Sequence, residues 1–185
     1  MTELHIALFL KNICLRYLSF FNLRKAGIEL YINKAFLLAF LKVLKLCTYV
    51  GLKTLVDIVL VDFLKGNTRF KLIYNLLNLK GVRVSVLTFL EEIEFCASIV
   101  GLYKSAGWAE REVWDMFGVY FVNHGDLRRI LTDYGFRGFP FRKDFPLTGY
   151  IELRFDDQKG DIVYEPVELS QEMRFFNFAT GWETD

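Results

Sequence analysis

Between residues 54 and 88 the chain alternates apolar and polar positions with the two-residue period of β-strands. The runs at 54–63, 69–79 and 82–88 are rich in Val, Ile, Leu and aromatic residues, and β-branched and aromatic residues favour strands. A turn sequence that contains glycine separates each pair of runs. Because consecutive strands joined by short turns pair side by side, the pattern predicts an antiparallel meander with one covered face.

Three other runs repeat their apolar residues at three- and four-residue spacing, which predicts helices at 31–49, 91–103 and 109–117. Gly51 ends the first run and Gly118 ends the third. In the second run, three glutamates occupy the first turn, where they suit the positive end of the helix dipole. The sequence therefore predicts an α+β fold, with helices packed on one face of a small, mainly antiparallel sheet.

These patterns divide the chain into three parts. Residues 1–25 form a basic, apolar segment, and residues 26–146 form the α+β domain, which includes a densely charged region at 108–146. Residues 147–185 are predicted to be an extended C-terminal tail. Large aromatic side chains near its end follow no period that would build a core, and such residues commonly anchor a chain in grooves of a partner. These candidate anchors are Phe175, Phe176, Phe178 and Trp182.

The composition indicates that part of the protein surface is covered by partner proteins. Of the 185 residues, 53% are hydrophobic and 17% are aromatic, which is high for a free soluble protein. Membrane insertion is the competing explanation. The most apolar stretch, residues 35–46, is interrupted by Lys42 and Lys45 and is shorter than the roughly 20 residues that a membrane-spanning helix needs. The sequence thus predicts a protein with no membrane-spanning segment, peripheral to a membrane at most.

Charge is balanced overall but unevenly distributed. The net charge is +1, yet residues 1–52 carry seven basic side chains against two acidic ones, and residues 140–185 carry five basic against ten acidic. This polarity favours docking on different protein partners through complementary fields, and it lacks the basic excess of a nucleic-acid-binding face. Three dispersed cysteines argue against a disulfide framework and against a four-thiolate iron–sulfur site within the chain.

The charged region at 108–146 predicts ion pairs. Arg111 and Asp115 lie four residues apart on the predicted helix and can pair, but an exposed pair of this kind contributes only about 0.3–0.5 kcal/mol. The alternative is a partly buried network in which arginine binds carboxylates through two hydrogen bonds. That network would join the helix, with Glu110, Glu112 and Asp115, to the basic run Arg128, Arg129, Arg137, Arg142 and Lys143.

The same residues allow other chemistry. Glu110, Glu112, Asp115 and Asp126 supply enough carboxylates for acid/base hydrolysis, although no local motif supports that reaction. His124 and Asp126 could bind a metal, but the chain has only one other histidine and its cysteines are isolated. The cysteines lie in no recognised nucleophile context, and the interleaved acids leave no basic stripe for phosphates. A mixed-charge surface that faces a partner is the favoured interpretation.

Two long motifs carry a family resemblance. WAEREVWDMFGVYF at 108–121, followed by HGDLRRILTDYGFRGFPFRKDFPL at 124–147, closely resembles the signature region of the 30-kilodalton subunit of respiratory NADH dehydrogenase, or complex I. In mitochondria this subunit is called NADH dehydrogenase subunit 9. The chain departs from the usual pattern at Gly125, where the family commonly has proline, and at 139–141.

The resemblance implies a non-catalytic core structural subunit of the peripheral, quinone-reducing arm of mitochondrial complex I. That complex couples electron transfer from NADH to ubiquinone to proton translocation, and its FMN, iron–sulfur clusters and ubiquinone are expected in other subunits. No catalytic, cofactor or metal residue is expected here, and the chief partner would be the 49-kilodalton subunit, over which the C-terminal tail would wrap. The expected interface and structural residues are Glu110, Arg111, Glu112, Asp115, His124, Asp126, Arg128, Arg129, Arg142, Lys143 and Asp144.

The resemblance also bears on location. It implies the matrix side of the mitochondrial inner membrane. Residues 1–25 could be a transit peptide, but an N-terminal structural helix in a mitochondrially encoded protein is the favoured interpretation. Two alternatives stay open: the equivalent subunit of a membrane-bound hydrogenase-type complex, and a freestanding carboxylate-dependent hydrolase.

Overall fold

The computed structural model describes residues 3–14, 17–24, 27–64, 68–168, 174 and 176. The chain comprises two compact units, Met1–Phe145 and Pro146–Asp185. The helices and strands of the first unit are, in chain order, α1 (Glu3–Cys14), β1 (Leu18–Arg24), β2 (Gly27–Ile32), α2 (Leu37–Leu46), β3 (Thr54–Asp62), β4 (Phe70–Leu77), β5 (Arg83–Leu90), β6 (Cys96–Ala97), α3 (Ala106–Phe117) and β7 (Phe121–Val122).

A five-stranded sheet in the order β1-β2-β5-β4-β3 forms the centre of the first unit. The predicted meander is confirmed, because β3 pairs antiparallel with β4 and β4 pairs antiparallel with β5. Two further strands extend the sheet: β2 runs parallel to β5, and β1 pairs antiparallel with β2. The sheet is therefore mixed, with three antiparallel pairings and one parallel pairing.

One face of this sheet carries the hydrophobic core. Along β4 the buried residues alternate strictly with half-buried ones, and Phe70, Leu72, Tyr74 and Leu76 point to the covered face. The helices α1, α2 and α3 contribute buried side chains to the same cluster. The predicted α+β architecture, with helices on one face of a mainly antiparallel sheet, is thus confirmed. Residues of this cluster from the three helices include Ile6, Leu10, Phe40, Leu44, Ala106 and Val113.

The first part of the chain differs from the helical prediction. A helix is the favoured interpretation of residues 1–25, but α1 covers only Glu3–Cys14 and is followed by β1. The helix predicted at 31–49 is shorter, because its first residues belong to β2, where buried and half-buried positions alternate. Asn33 marks the change of structure: its side chain accepts the Ala35 N–H at 3.0 Å and opens a 3-10 turn that leads into α2.

The helix predicted at 91–103 is wrong. This stretch forms turns and the short strand β6, which runs parallel to β7. Its central backbone hydrogen bonds go to the segment around β7 rather than along a helix, since Cys96 N–H donates to Tyr120 O at 3.0 Å and Ser98 N–H donates to Val122 O at 2.9 Å. Ile93, which a helix would have turned toward the sheet, is 96% exposed. Tertiary pairing with β7 therefore overrides the local helical pattern.

The second unit contains a β-hairpin. Its strands, β8 (Ile151–Asp156) and β9 (Asp161–Pro166), pair antiparallel. Gly160 has a φ of 65° in the turn, and its N–H donates to Asp156 O at 2.8 Å. Of the predicted tail anchors, Phe176 is described and exposed, whereas Phe175, Phe178 and Trp182 lie outside the described residues. Among the helices of the described residues, none has the length and apolar character to cross a membrane.

Candidate functional site

The helix α3 carries the first half of the charged region, and its predicted existence and end at Gly118 are confirmed. Gly118 has a φ of 78°, in the left-handed region that favours glycine, and its N–H donates to Trp114 O at 2.9 Å. A Cβ on Gly118 would lie 2.6 Å from the ring of Phe139. The glycine therefore ends the helix and also leaves space for the loop that returns over it.

Asp115 is a fully buried carboxylate that holds this loop. One oxygen, Oδ2, accepts the backbone N–H groups of Ile130 at 3.1 Å, Leu131 at 2.7 Å and Thr132 at 2.9 Å. The other accepts the Thr132 hydroxyl at 2.6 Å and lies 3.5 Å from Arg129 Nη1. Burial alone would raise the pKa of Asp115, but the hydrogen bonds from Thr132, Leu131 and Ile130 outweigh it and lower the pKa below its ordinary value.

Glu110 is the second buried carboxyl group of α3. Its Oε1 accepts the Ile99 N–H at 2.8 Å, and its Oε2 lies 3.9 Å from His124 Nε2 without a hydrogen-bond partner among the described residues. Since His124 Nδ1 accepts the Asp126 N–H at 3.1 Å, its Nε2 carries the proton and donates to Gly107 O at 3.2 Å. Burial raises the pKa of Glu110 above its ordinary value.

The ion pair that the spacing allows between Arg111 and Asp115 does not form, because each group has another partner. Arg111 donates through Nε to Asp126 O at 2.8 Å and through Nη2 to Asp126 Oδ2 at 3.1 Å, and it lies 5.2 Å from the ring of Trp108. The exposed Arg128 reaches the same carboxylate at 3.2 Å. Asp115 instead faces the loop donors and Arg129. The contact between Asp115 and Arg129 instead fits the alternative interpretation, in which carboxylates of the helix meet the basic run.

Arg142 fixes the far end of the returning loop. Its Nε donates to Phe117 O, the last residue of α3, at 2.6 Å, and its Nη1 lies 3.0 Å from Glu92. The guanidinium also lies 4.6 Å from the centre of the Phe139 ring and 5.4 Å from that of Phe70. One arginine thus joins the end of α3, the segment before β6 and the sheet.

A second ion-pair cluster sits beside it, around residues that the sequence did not single out. Arg69 lies 2.9 Å from Asp62, 2.9 Å from Glu92 and 2.9 Å from Asp144. Asp62, whose side chain is fully buried, also accepts the Lys143 N–H at 2.8 Å. Burial would raise the pKa of Asp62, but the hydrogen bonds from Arg69 and Lys143 and the nearby guanidinium groups lower it.

A sequence signal for this cluster existed. Asp62 ends the strand β3 and Arg69 directly precedes β4, so an acid and a base flank the turn of a predicted hairpin and come within reach of each other. No sequence signal predicted the role of Thr132. Its hydroxyl donates to a carboxylate 17 residues earlier in the chain, and no local spacing pattern indicates such a contact.

The predicted interface residues therefore fall into three groups. The helix α3 brings together three sets of side chains: Asp115 with Arg129, Glu110 with His124, and Arg111 with Asp126 and Arg128. Segment 142–144 is fixed by Asp62, Arg69 and Glu92. Glu112 is exposed on the outer side of α3. Within the described ranges no group of three His, Cys, Asp or Glu residues is arranged to hold a metal ion.

This geometry favours structural rather than acid/base chemistry. The oxygens of Asp115 already accept four hydrogen bonds, so this carboxylate is not free to take a proton from a substrate. Glu110 is enclosed in the interior. The fold and the site thus define a class of protein: a small α+β domain whose buried charges hold a long loop in one conformation.

Comparisons with known proteins identify the family of this domain. A family model described as "Respiratory-chain NADH dehydrogenase, 30 Kd subunit" matches residues 30–151. The chain is 50% identical over 160 residues to the NADH-ubiquinone oxidoreductase subunit 9 of Reclinomonas americana, covering 86% of this chain and 78% of that protein. It is 58% identical over 132 residues to the subunit 9 of Acanthamoeba castellanii, covering 71% of this chain and 67% of that one.

The fold has a solved counterpart. A chain in the structure of the membrane-bound sulfane sulfur reductase, an archaeal respiratory membrane complex, matches with a TM-score of 0.66 and 25% identity, over 86% of this chain and 99% of that one. The protein belongs to the family of the 30 Kd subunit of respiratory-chain NADH dehydrogenase.

Proposed function

We propose that the chain is a non-catalytic core structural subunit of the peripheral, quinone-reducing arm of mitochondrial complex I. In this role it supports electron transfer from NADH to ubiquinone, coupled to proton translocation, by holding neighbouring subunits in position. FMN, the iron–sulfur clusters and ubiquinone are bound by other subunits. The chain lies on the matrix side of the inner membrane, and its chief partner is the 49-kilodalton subunit.

The observation that supports the proposal is the set of hydrogen bonds that the Asp115 carboxylate accepts from the loop. Its carboxylate gathers three consecutive backbone N–H groups, at residues 130, 131 and 132, and so determines the path of the loop that follows α3. Arg129 adds a further tie, because its Nη2 donates to Gly138 O at 3.0 Å. A loop held this tightly is suited to present one fixed surface to a partner.

Two alternatives receive less support. The likeness to a chain of an archaeal respiratory membrane complex fits a related membrane-bound complex, but relatives at 50% and 51% identity are NADH-ubiquinone oxidoreductase or dehydrogenase subunits. A freestanding hydrolase would need an accessible carboxylate pair with one group available as a base. The saturated Asp115 and the enclosed Glu110 do not provide that pair.

Native-gel electrophoresis tests the proposal directly. Mitochondrial membranes are extracted with a mild detergent, and mass spectrometry locates this chain relative to an in-gel NADH dehydrogenase stain. Comigration of the chain with the stained complex is the expected result. A small, unstained species that contains the chain would overturn the proposal.

The substitution Arg129→Ala then separates a structural role from a catalytic one. Removing the guanidinium breaks its contacts with Asp115, Thr132 and Gly138, so the amount of assembled complex should fall severalfold while quinone reduction per assembled complex stays unchanged. Arg83→Ala, at an exposed arginine of β5 outside this loop, is the matched control and should assemble normally. Normal assembly of the Arg129 variant with a selective loss of quinone reduction would instead place this region in the reaction path.

A further inference from the structure

A buried contact, the α3 junction, joins the first half of α3 to the short strands β6 and β7. Glu110 lies in this junction: its side chain is fully buried, and Oε1 accepts the N–H of Ile99, just after β6, at 2.8 Å. His124, two residues after β7, donates from Nε2 to Gly107 O of α3 at 3.2 Å, and its side chain is only 3% exposed. Two titratable side chains therefore hold the junction together. Its segments are 96–99, 107–110 and 121–124.

The second oxygen of Glu110 is buried without a donor. Among the described residues Oε2 has no hydrogen-bond partner. His124 Nε2 lies 3.9 Å away, which is beyond hydrogen-bond distance, and its proton is already donated to Gly107 O. In an ionised Glu110 this oxygen would carry negative charge in the interior with nothing to pair it, which is strongly unfavourable. A proton on Oε2 removes that charge.

The side chains that face Glu110 from β4, from segment 96–99 and from the residues after β7 do not compensate an ionised form. They are Tyr74, Cys96, Ser98 and His124. Tyr74 and Cys96 are hydrogen-bonded to each other at 3.5 Å, and burial raises the pKa of both, so both stay uncharged at neutral pH. The Ser98 hydroxyl favours the carboxylate, but burial outweighs it and raises the pKa of Glu110. Only His124 can then carry a positive charge beside it.

His124 can supply that charge only by giving up a hydrogen bond. In the neutral ring Nε2 carries the proton, and Nδ1 accepts the Asp126 N–H at 3.1 Å. A second proton would sit on Nδ1 and point at that N–H, so the start of the following loop would have to move. The Asp126 side chain is itself bound to Arg111 and Arg128. Ionisation of Glu110 therefore leaves an unpaired buried charge or displaces the loop, and both outcomes favour an open junction.

We propose that Glu110 carries a proton on Oε2 in the closed α3 junction, and that loss of this proton opens the junction. The fold thereby contains a pH-sensitive switch. Its contribution to the closed state is complete below pH 4.5, the ordinary pKa of glutamate, and is lost as pH rises through the raised value. Opening also frees the start of the loop, because His124 Nδ1 holds the Asp126 N–H. The switch involves this chain alone and does not rest on the proposed function.

NMR spectroscopy of the purified wild-type chain measures both protonation states directly. Carbon-13 shifts of the glutamate carboxyl groups follow each titration, and the Glu110 signal is assigned through the backbone of α3. It should titrate above pH 4.5, and nitrogen-15 shifts of His124 at about pH 7 should show a neutral ring with its proton on Nε2. A Glu110 signal that titrates at or below 4.5, or an imidazolium paired with an ionised Glu110, would overturn the proposal.

Amide hydrogen exchange tests whether this proton controls the junction. The amides of Cys96, Ser98 and Ile99 are protected by hydrogen bonds across it. Their protection in the wild type, divided by that in Glu110→Gln, should fall about tenfold from about pH 4 to pH 8 if the closed junction binds the proton tenfold more tightly than the open one. The ratio removes the pH dependence of the intrinsic exchange rate and of other titrating groups. A ratio that stays constant with pH would contradict the switch.

Two comparisons show that the effect is specific and local. Glu112 is an exposed glutamate of the same helix, so Glu112→Gln is the matched control and should follow the wild type within about twofold at every pH. The amides of β4 report global unfolding, and those of the junction should exchange faster than them, because a local opening needs less free energy. Equal protection of the junction and of β4 would mean that the proton acts only on global unfolding, and the switch would be refuted.

Discussion

Removal of the Asp115 carboxylate should destabilise the chain more than any other single change in α3. In Asp115→Ala, the N–H groups of residues 130–132 and the Thr132 hydroxyl lose their common acceptor. Hydrogen bonds to a charged group contribute about 1.5–3 kcal/mol each. Water replaces part of that loss because the donors are only partly buried, so the free energy of unfolding should fall by about 3–5 kcal/mol, similar to breaking a buried ion pair.

Asp115→Asn provides an intermediate case. The amide keeps one oxygen for the backbone donors but loses the negative charge that faces Arg129. We expect a loss of about half that for alanine, on the order of 2 kcal/mol. The exposed Glu112 lies on the same helix, and Glu112→Ala is the control, which should stay within about 0.5 kcal/mol of wild type.

Urea unfolding of the purified full chain measures these differences. Trp114 packs against Tyr120 and Phe139 with ring centres 5.9 and 6.1 Å apart, so its fluorescence reports on the contact between α3 and the loop. Limited proteolysis at residues 126–145 should be faster in the alanine variant. A loss below about 1 kcal/mol for Asp115→Ala would refute the reasoning, because it would mean that water or another donor arrangement replaces the carboxylate.

The effect should also depend on pH. The pKa of Asp115 is lowered in the folded chain from its ordinary value of 3.8. A lowered carboxyl pKa stabilises the fold fully above the unfolded value, and this contribution is lost as pH falls through the folded value. The difference between wild type and Asp115→Ala should therefore be constant from about pH 5 to 7 and shrink below about pH 4.

Two further predictions concern α3. Burial raises the pKa of Glu110 above 4.5, so the wild-type chain should become less stable relative to Glu110→Gln as pH rises above that value. Urea unfolding across about pH 4.5–7.5 measures the difference in free energy of unfolding. A difference that stays constant with pH would contradict the raised pKa. Gly118→Ala should cost about 2 kcal/mol or more, because its φ is positive and a ring occupies the Cβ position. Thermal unfolding compares it with Gly125→Ala, where nothing lies within 4 Å, and equal effects would contradict the argument.

Most of the fold could be predicted where pattern and tertiary environment agree. The strands β3, β4 and β5 alternate cleanly because one face of the sheet is buried and the other is not, and local periodicity records that difference. The helix prediction for 91–103 failed because its apolar residues fit a helix as well as a strand. Long-range backbone hydrogen bonds with the segment around β7 determined the structure that forms. The parallel pairing of β2 with β5 could not be predicted for the same reason, since the paired residues Ile28 and Val84 are 56 positions apart in the sequence and no local signal spans that distance.

The site was predicted as a region rather than as a set of contacts. The charges of 108–146 are concentrated in the sequence because they serve one loop, which made the region visible. Their pairing depends on burial: Arg111 and Asp115 are neighbours on α3, yet Asp115 is buried and Arg111 reaches outward to Asp126. Helical spacing specifies which side chains are near each other, but not which of them the core covers.

The use of these charges within the chain changes where a partner should be sought. Asp115, Arg129 and Arg142 form their hydrogen bonds with the loop and with the end of α3, so their substitution affects a partner through the shape of the loop. Direct contact requires side chains that the chain leaves exposed. Substitutions of these charged residues should therefore lower both the stability of the isolated chain and the amount of assembled complex.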